Sequence, residues 1–331
     1  MLSARRLGLA RLAGYASLAA LGLTSVPAAQ AQDAFPSQPI RMVIPFPPGG
    51  PTDLVSRVLG EAVSDQIGQS VVADNKPGAN ANIGAEIVAR APADGHTILY
   101  NTSSLALSRV LYSKLNYDAL ADFAPVVLTA VVPLVLVVHP SVPAKNVAEF
   151  IDHAKKNAGK LSYGSASNGN VTHLAAYQFL HANGLEATHV PYRGSAPALV
   201  DLVGGQVQFM TDTINSALPY IRDGRLRALA VTSARRSSVL PDVPTLQESG
   251  MAGFEAGAWQ GVGAPAKTPA AVVERLNAEF NKALKDPEVL KKLAAQGAEP
   301  LGSTPEEYGA YLRQEIERWG EVAKATGAKL D

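Results

Sequence analysis

The sequence contains no cysteine. Disulfides, a thiol nucleophile and cysteine metal ligands are excluded at once. The chain also lacks any excess of charge: Lys+Arg and Asp+Glu count 29 each over 331 residues. A nucleic-acid binder needs a basic surface, so that class is set aside. Past the N-terminus no run is long and apolar enough to span a bilayer. The six histidines, His96, His139, His153, His173, His181 and His189, include no closely spaced ligand pair of the zincin kind. There is no Walker-type or dinucleotide fingerprint, so neither metal nor cofactor is expected. No Gly-x-Ser-x-Gly elbow occurs, because Gly164-Ser165-Ala166-Ser167 and Gly194-Ser195-Ala196-Pro197 both lack the spacing. A triad of Ser165, His173 and Asp212 is conceivable but has no motif behind it, and the chain is read as a binding protein rather than an enzyme.

What is present begins with a leader. Arg5, Arg6 and Arg11 precede and interrupt an apolar stretch, Leu7 to Val26, that closes on Ala28-Ala29-Gln30-Ala31-Gln32. Small residues at Ala29 and Ala31 place a signal-peptidase cut after Ala31, with release into the periplasm by the general secretory route. Removing the three leader arginines from 29 leaves 26 basic against 29 acidic residues, about −3 net. The remaining 300 residues suit two domains of ordinary size.

Strand and helix signals then alternate. Arg41 to Phe46 reads as strand, and Leu54, Val55, Val58, Leu59, Ala62 and Val63 recur at helical spacing. Val71 to Ala73 and Thr97 to Tyr100 read as strands around a helix over Asn82 to Arg90, giving a parallel βαβαβ unit. A β-rich stretch from Phe123 to His139 is broken at Pro133, and reads as two strands that meet at a bend and cross into a second lobe. Beyond it helices over 147–156, 172–182, 197–204 and 215–222 alternate with strands over 161–163, 188–192, 207–210 and 226–232. Phe254 to Ala264 reads as a return strand, and the chain ends in helices over 270–284, 287–296 and 305–326. The expected fold is α/β, two doubly wound lobes with a cleft between them. Lobe 1 is expected over 32–131 and 256–331, lobe 2 over 132–255.

The strand-to-helix junctions carry the chemistry, since open α/β sheets bind ligands beyond the carboxyl ends of their strands. The first runs from Phe46 through Pro48, Gly49 and Gly50 to Thr52 and Asp53. Bare glycine backbone and a helix N-terminus together hold an anion without a charged side chain. In an exported protein this points to a small carboxylate. Further junctions supply Ser103 and Ser104, then Ser165, Asn168, Gly169 and Thr172, then Tyr192-Arg193-Gly194-Ser195, and Asp212. Two facing helix N-termini would pinch a dicarboxylate, one end on each. Several of these residues have a second reading. Thr52 and Asp53 equally suit capping or charging the first turn of their helix. Asp212 suits a cap, a water site or a ligand amine, and Arg193 either a ligand carboxylate or a solvated charge. Trp259 lies on the return strand, where its emission would report closure, whereas Trp319 in the last helix is expected to stay silent.

Several runs together carry a family resemblance over essentially the whole mature chain. They are Pro45-Phe46-Pro47-Pro48-Gly49-Gly50-Pro51-Thr52-Asp53, Val72-Ala73-Asp74-Asn75-Lys76-Pro77-Gly78-Ala79, Ala93-Asp94-Gly95-His96-Thr97, Tyr163-Gly164-Ser165, Val190-Pro191-Tyr192-Arg193-Gly194 and Leu240-Pro241-Asp242-Val243-Pro244-Thr245. With them the chain resembles the extracytoplasmic solute receptors of tripartite tricarboxylate transporters, also called Bug or TctC proteins. The resemblance implies a type II periplasmic binding protein that closes on its ligand and delivers it to membrane permease subunits. It implies that the first-lobe loops, here Phe46, Pro48, Gly49, Gly50, Thr52 and Asp53, hold one carboxylate through backbone and water. It further implies that Ser165, Asn168, Gly169, Thr172, Tyr192 and Asp212 adapt to the rest of the ligand. Family ligands include di- and tricarboxylates, aromatic carboxylates and acidic amino acids. A sensor on the same fold, feeding a signalling partner, is the alternative, and a secreted hydrolase the minor one.

Overall fold

The computed structural model describes residues 35–326 and 329–330; the leader and its expected cut lie outside the described residues. The first lobe opens with β1 (Ile40–Ile44), α1 (Pro51–Ile67), β2 (Val71–Asn75), α2 (Asn82–Ala89), β3 (Thr97–Thr102) and α3 (Ser104–Leu111). β4 (Phe123–Val138) leads to α4 (Val147–Lys156), β5 (Ser162–Ser165), α5 (Val171–Ala182), β6 (Thr188–Pro191), α6 (Ser195–Val203), β7 (Phe209–Thr213), α7 (Ile214–Arg222) and β8 (Arg227–Val231). The chain closes with β9 (Gly257–Pro265), α8 (Ala270–Ala283), α9 (Pro287–Ala295), β10 (Glu299–Pro300) and α10 (Pro305–Thr326).

β1 shows why the first sheet forms. Its residues alternate between two apolar layers, Ile40, Met42 and Ile44 in one and Val43 in the other. A strand covered on both faces reads as a near-continuous apolar run, and Ile40, Met42, Val43 and Ile44 are all fully buried. α1 begins on Pro51, whose fixed φ suits the first helical position and whose missing N–H costs nothing there. It buries Val55, Leu59 and Val63 against β1, and ends on Gly68 in the left-handed conformation. The second lobe is built the same way around Phe150, Tyr163, Phe179 and Phe209.

The strands run β2-β1-β3-β9-β4-β7-β5-β6, with β8 and β10 also paired to β4. β1 is parallel to β2 and β3, and β5 is parallel to β6 and β7, as the alternation predicts. The connecting strands depart from that pattern. β9 is antiparallel to β3 and β4, and β4 is antiparallel to β7 and β8, so each lobe carries a mixed sheet. β4 is also one strand of 16 residues rather than two meeting at a bend. It changes partner at Pro133: up to Pro133 it pairs with β9, and from Leu134 onward with β7 and β8. Proline has no N–H for a ladder, so the switch falls where a ladder bond would be missing anyway. The short helix α3 and the two-residue β10 were not foreseen.

A cleft built from helix N-termini

Because the parallel strands of both lobes end at the same opening, their following helices start there. A cleft of about 430 Å³ lies between them. Its wall takes Phe46 to Thr52 from the turn into α1, Thr102 and Ser103 before α3, and Asn170 to Thr172 at the start of α5. It also takes Gly194 to Pro197 at the start of α6 and Thr213, Asn215 and Ser216 at the start of α7. Five helices thus present their N-termini to one space. The first N–H groups of each have no partner inside the helix, and the aligned peptide dipoles add a partial positive charge. Among the described residues Arg193 is the one charged side chain in the wall, and no carboxylate joins it. Apart from Arg193, what favours an anion in this cleft is the backbone at the helix starts.

The first-lobe turn is held in shape from behind. Asp53 is buried and does not line the cleft. Its carboxylate accepts the Gly49 N–H at 2.8 Å, Arg57 Nε at 2.9 Å and Asn75 Nδ2 at 2.9 Å. Asn75 also donates to the Phe46 carbonyl at 3.0 Å, so both ends of the turn are tied to one bracket. Burial alone would raise the Asp53 pKa; the hydrogen bonds from Arg57, Gly49 and Asn75, with the Arg57 charge, outweigh it and hold the carboxyl below its usual range. Gly49 sits at φ 76°, a backbone that side chains resist. No side chain caps α1 at Gly50, so Asp53 serves the turn rather than the cap.

The other sequence-predicted residues divide by position. Phe46, Pro48, Gly49, Gly50, Thr52, Ser103 and Thr172 line the cleft. Ser104, Ser165, Asn168, Gly169, Tyr192 and Asp212 stand outside its wall. Ser165 is buried, donates to the Ser167 carbonyl at 3.0 Å and lies 2.7 Å from His189 Nε2. His173 instead accepts the Gly169 N–H at 3.1 Å, so the imagined grouping of Ser165, His173 and Asp212 is not assembled. The two imidazoles stack face to face, 3.8 Å apart and 7° from parallel. Burial, with the neighbouring His189 ring, pulls His173 down to about 3, and burial pulls His189 down to about 4, so both are neutral. Tyr192 donates to Asp201 at 2.7 Å. Asp212 is fully buried and accepts the Ser195 hydroxyl at 2.7 Å and the Thr213 N–H at 2.8 Å. Burial, resisted by those hydrogen bonds, pushes it up to about 7.

Ser104 belongs to a bridge between the lobes. Asn80, from the turn before α2, donates to the Gly169 carbonyl at 3.2 Å and accepts from Ser104 at 3.4 Å and Ser167 at 3.1 Å. Asn170 completes it, donating to Ser104 at 3.4 Å. Ala79, Asn80 and Ala81 all have positive φ, at 46°, 52° and 77°. Three successive non-glycine residues in that region are strained, and such strain gathers where a functional contact holds it.

Sequence reasoning missed Asn80, Asn215 and Gln260. Asn215 lines the cleft, and its Nδ2 is buried without a partner. Gln260 lies on β9 opposite Thr102, in the same wall, fully buried. The signal for it existed: a lone amide inside Gly257-Ala258-Trp259-Gln260-Gly261-Val262-Gly263.

A family model described as the tripartite tricarboxylate transporter family receptor matches residues 55–328. The chain belongs to this receptor family. A relative from Pseudomonas sp. strain P51, known as the UPF0065 protein in the tcbD-tcbE intergenic region, is 45% identical over 305 residues, covering 92% of this chain and 91% of its own. Among solved structures, R. palustris Rpa4515 with adipate is 38% identical with a TM-score of 0.86, over 89% of this chain and 100% of that one. MatC (Rpa3494) from Rhodopseudomonas palustris with bound malate is 34% identical with a TM-score of 0.81, over 87% of this chain and 99% of that one. The receptor fold of two lobes around a ligand cleft is therefore the fold of this chain, and its structural neighbours are binding proteins.

Proposed function

We propose that this receptor captures a small dicarboxylate in the periplasm, after cleavage behind Ala31, and hands it to the permease subunits of a tripartite transporter. The observation that carries the reading is the convergence of five helix N-termini on a cleft whose single charged side chain, among the described residues, is Arg193. Anions are what such a site favours. The adipate and malate of the two R. palustris structures are both dicarboxylates, which supports the same class here.

One carboxylate sits on the α1 turn, at Phe46, Pro48, Gly49, Gly50 and Thr52, with Ser103 beside it. The other faces Thr172, Arg193, Asn215 and the start of α6. Asp53, Ser104, Ser165, Asn168, Gly169, Tyr192 and Asp212 shape the loops from outside the wall. Residues 32–131 with 256–331 form one lobe and 132–255 the other, which close by rotation about β4 and β9. Contacts available only when both lobes touch the ligand drive that closure.

A thermal-shift series of residues 32–331 with dicarboxylates of two to eight carbons tests this. A matching dicarboxylate raises the melting temperature by mass action, because it binds only the folded state. The corresponding diamides leave it unchanged. Equal shifts with diamide and dicarboxylate, or none with either, would sink the reading.

A further inference from the structure

Gln260 is the cleft residue with the most unusual hydrogen-bond account. It is 0% exposed, yet neither Oε1 nor Nε2 of its carboxamide has a partner among the described residues. Buried polar groups are nearly always paired, and an orphaned one costs stability. Its backbone is held in the sheet: Gln260 pairs with Thr102 on β3 and Ala130 on β4, and its carbonyl accepts Thr129 Oγ1 at 3.0 Å. The strand therefore fixes where the side chain stands. Alternation along β9 puts Ala258 and Gln260 in the cleft wall, while Trp259 turns the other way to bond Glu315 at 2.9 Å. The amide thus stands in the floor of the cleft with a donor and an acceptor both unused.

That pair of unused functions selects a chemistry. An ionised carboxylate accepts from Nε2 but repels Oε1. An ammonium satisfies Oε1 alone, and an oxo group Nε2 alone. A hydroxyl both donates and accepts, so it alone among these answers both atoms. Resting on the dicarboxylate reading above, we infer that Gln260 is a specificity-determining residue that reads a hydroxyl carried between the two carboxylates, making a hydroxy-dicarboxylate the preferred ligand. A site built to pair a substrate hydroxyl rejects the analogue lacking it, because its own polar groups are then left bare.

The test is calorimetric titration of residues 32–331 with matched pairs, succinate against malate and adipate against 3-hydroxyadipate. It uses wild type, Gln260→Met and Gln260→Glu. Wild type should bind the hydroxylated member of at least one pair roughly tenfold more tightly. Gln260→Met, similar in length and apolar, should bring the affinity ratio within that pair to about one. Gln260→Glu keeps an acceptor but places a charge against the ligand, and should weaken both members. Unfolding of the ligand-free protein gives a second readout: Gln260→Met should melt no lower than wild type, since no native hydrogen bond is lost, whereas a structural glutamine would make it melt lower. Equal wild-type affinities within both pairs, or a preference that survives Gln260→Met, overturns the inference while leaving the dicarboxylate reading standing. Failure of all four acids to bind folded wild type overturns both.

Discussion

At the scale of single residues, the shape of the cleft rests in part on groups outside its wall. Asp53 is the clearest, since its carboxylate binds Gly49, Arg57 and Asn75 and keeps the turn in its cleft-facing shape. Asp53→Ala should cost about 2 kcal/mol of stability, as a buried network at a charged group is lost. It should also weaken ligand binding about tenfold, measured by titration well below the melting point. A melting shift with unchanged affinity would reduce Asp53 to a stabilising role. The sign with pH follows from its depressed pKa: the contribution is present above the unfolded value near 4 and is lost as pH falls through the folded value. The motif from Phe46 to Asp53 was legible because glycine, proline and a helix start leave little freedom. Gln260 was not, because its one sequence signal, a lone amide in an apolar strand, says nothing of its burial or its missing partners.

At the scale of elements, strands β5 and β6 and helix α5 are joined by the stacked pair His173 and His189. Both have pKa values lowered below that of a free imidazole. The unfolded chain therefore takes up protons first as pH falls below about 6.5, and the folded state loses stability from there down towards its own values. Between pH 7 and pH 5 this loss opposes the gain from Asp212, whose pKa burial pushes up to about 7, so the test is the difference: His189→Gln should lose less melting temperature than wild type over that range. An unchanged slope would show that other groups set the acid response. The parallel units were readable from alternating apolar runs and helical spacing. The antiparallel placing of β4 and β9 was not, because strand direction in a mixed sheet depends on connections between distant segments. Pro133 was read correctly as a discontinuity and wrongly as a break: the strand continues, and only its partners change.

At the scale of the whole molecule, the two lobes meet through Asn80 and through α10. Asn80→Ala removes two of the cross-lobe hydrogen bonds, to Gly169 and Ser167, leaving Asn170 to Ser104, and should speed ligand release about tenfold with little change in melting temperature, read by stopped-flow dissociation. Unchanged release would mean that the bridge does not hold the closed form. α10 places Tyr308 and Leu312 in a first-lobe core and Trp319 in the second-lobe core. The indoles of Trp259 and Trp319 both donate to the same Glu315 oxygen, at 2.9 and 3.1 Å. Trp319, expected silent on sequence, shares its surroundings with Trp259. Variants retaining one indole each should therefore both change emission on ligand addition, and a response from Trp259 alone would restore the original expectation. The backbone origin of the cleft's positive potential has an evolutionary corollary. Mutation exchanges side chains but cannot delete a peptide N–H, short of proline. Affinity for anions is thus inherited with the fold itself, while positions such as Gln260 and Asn215 remain free to drift, so descendants of one receptor can change diet without first losing their grip.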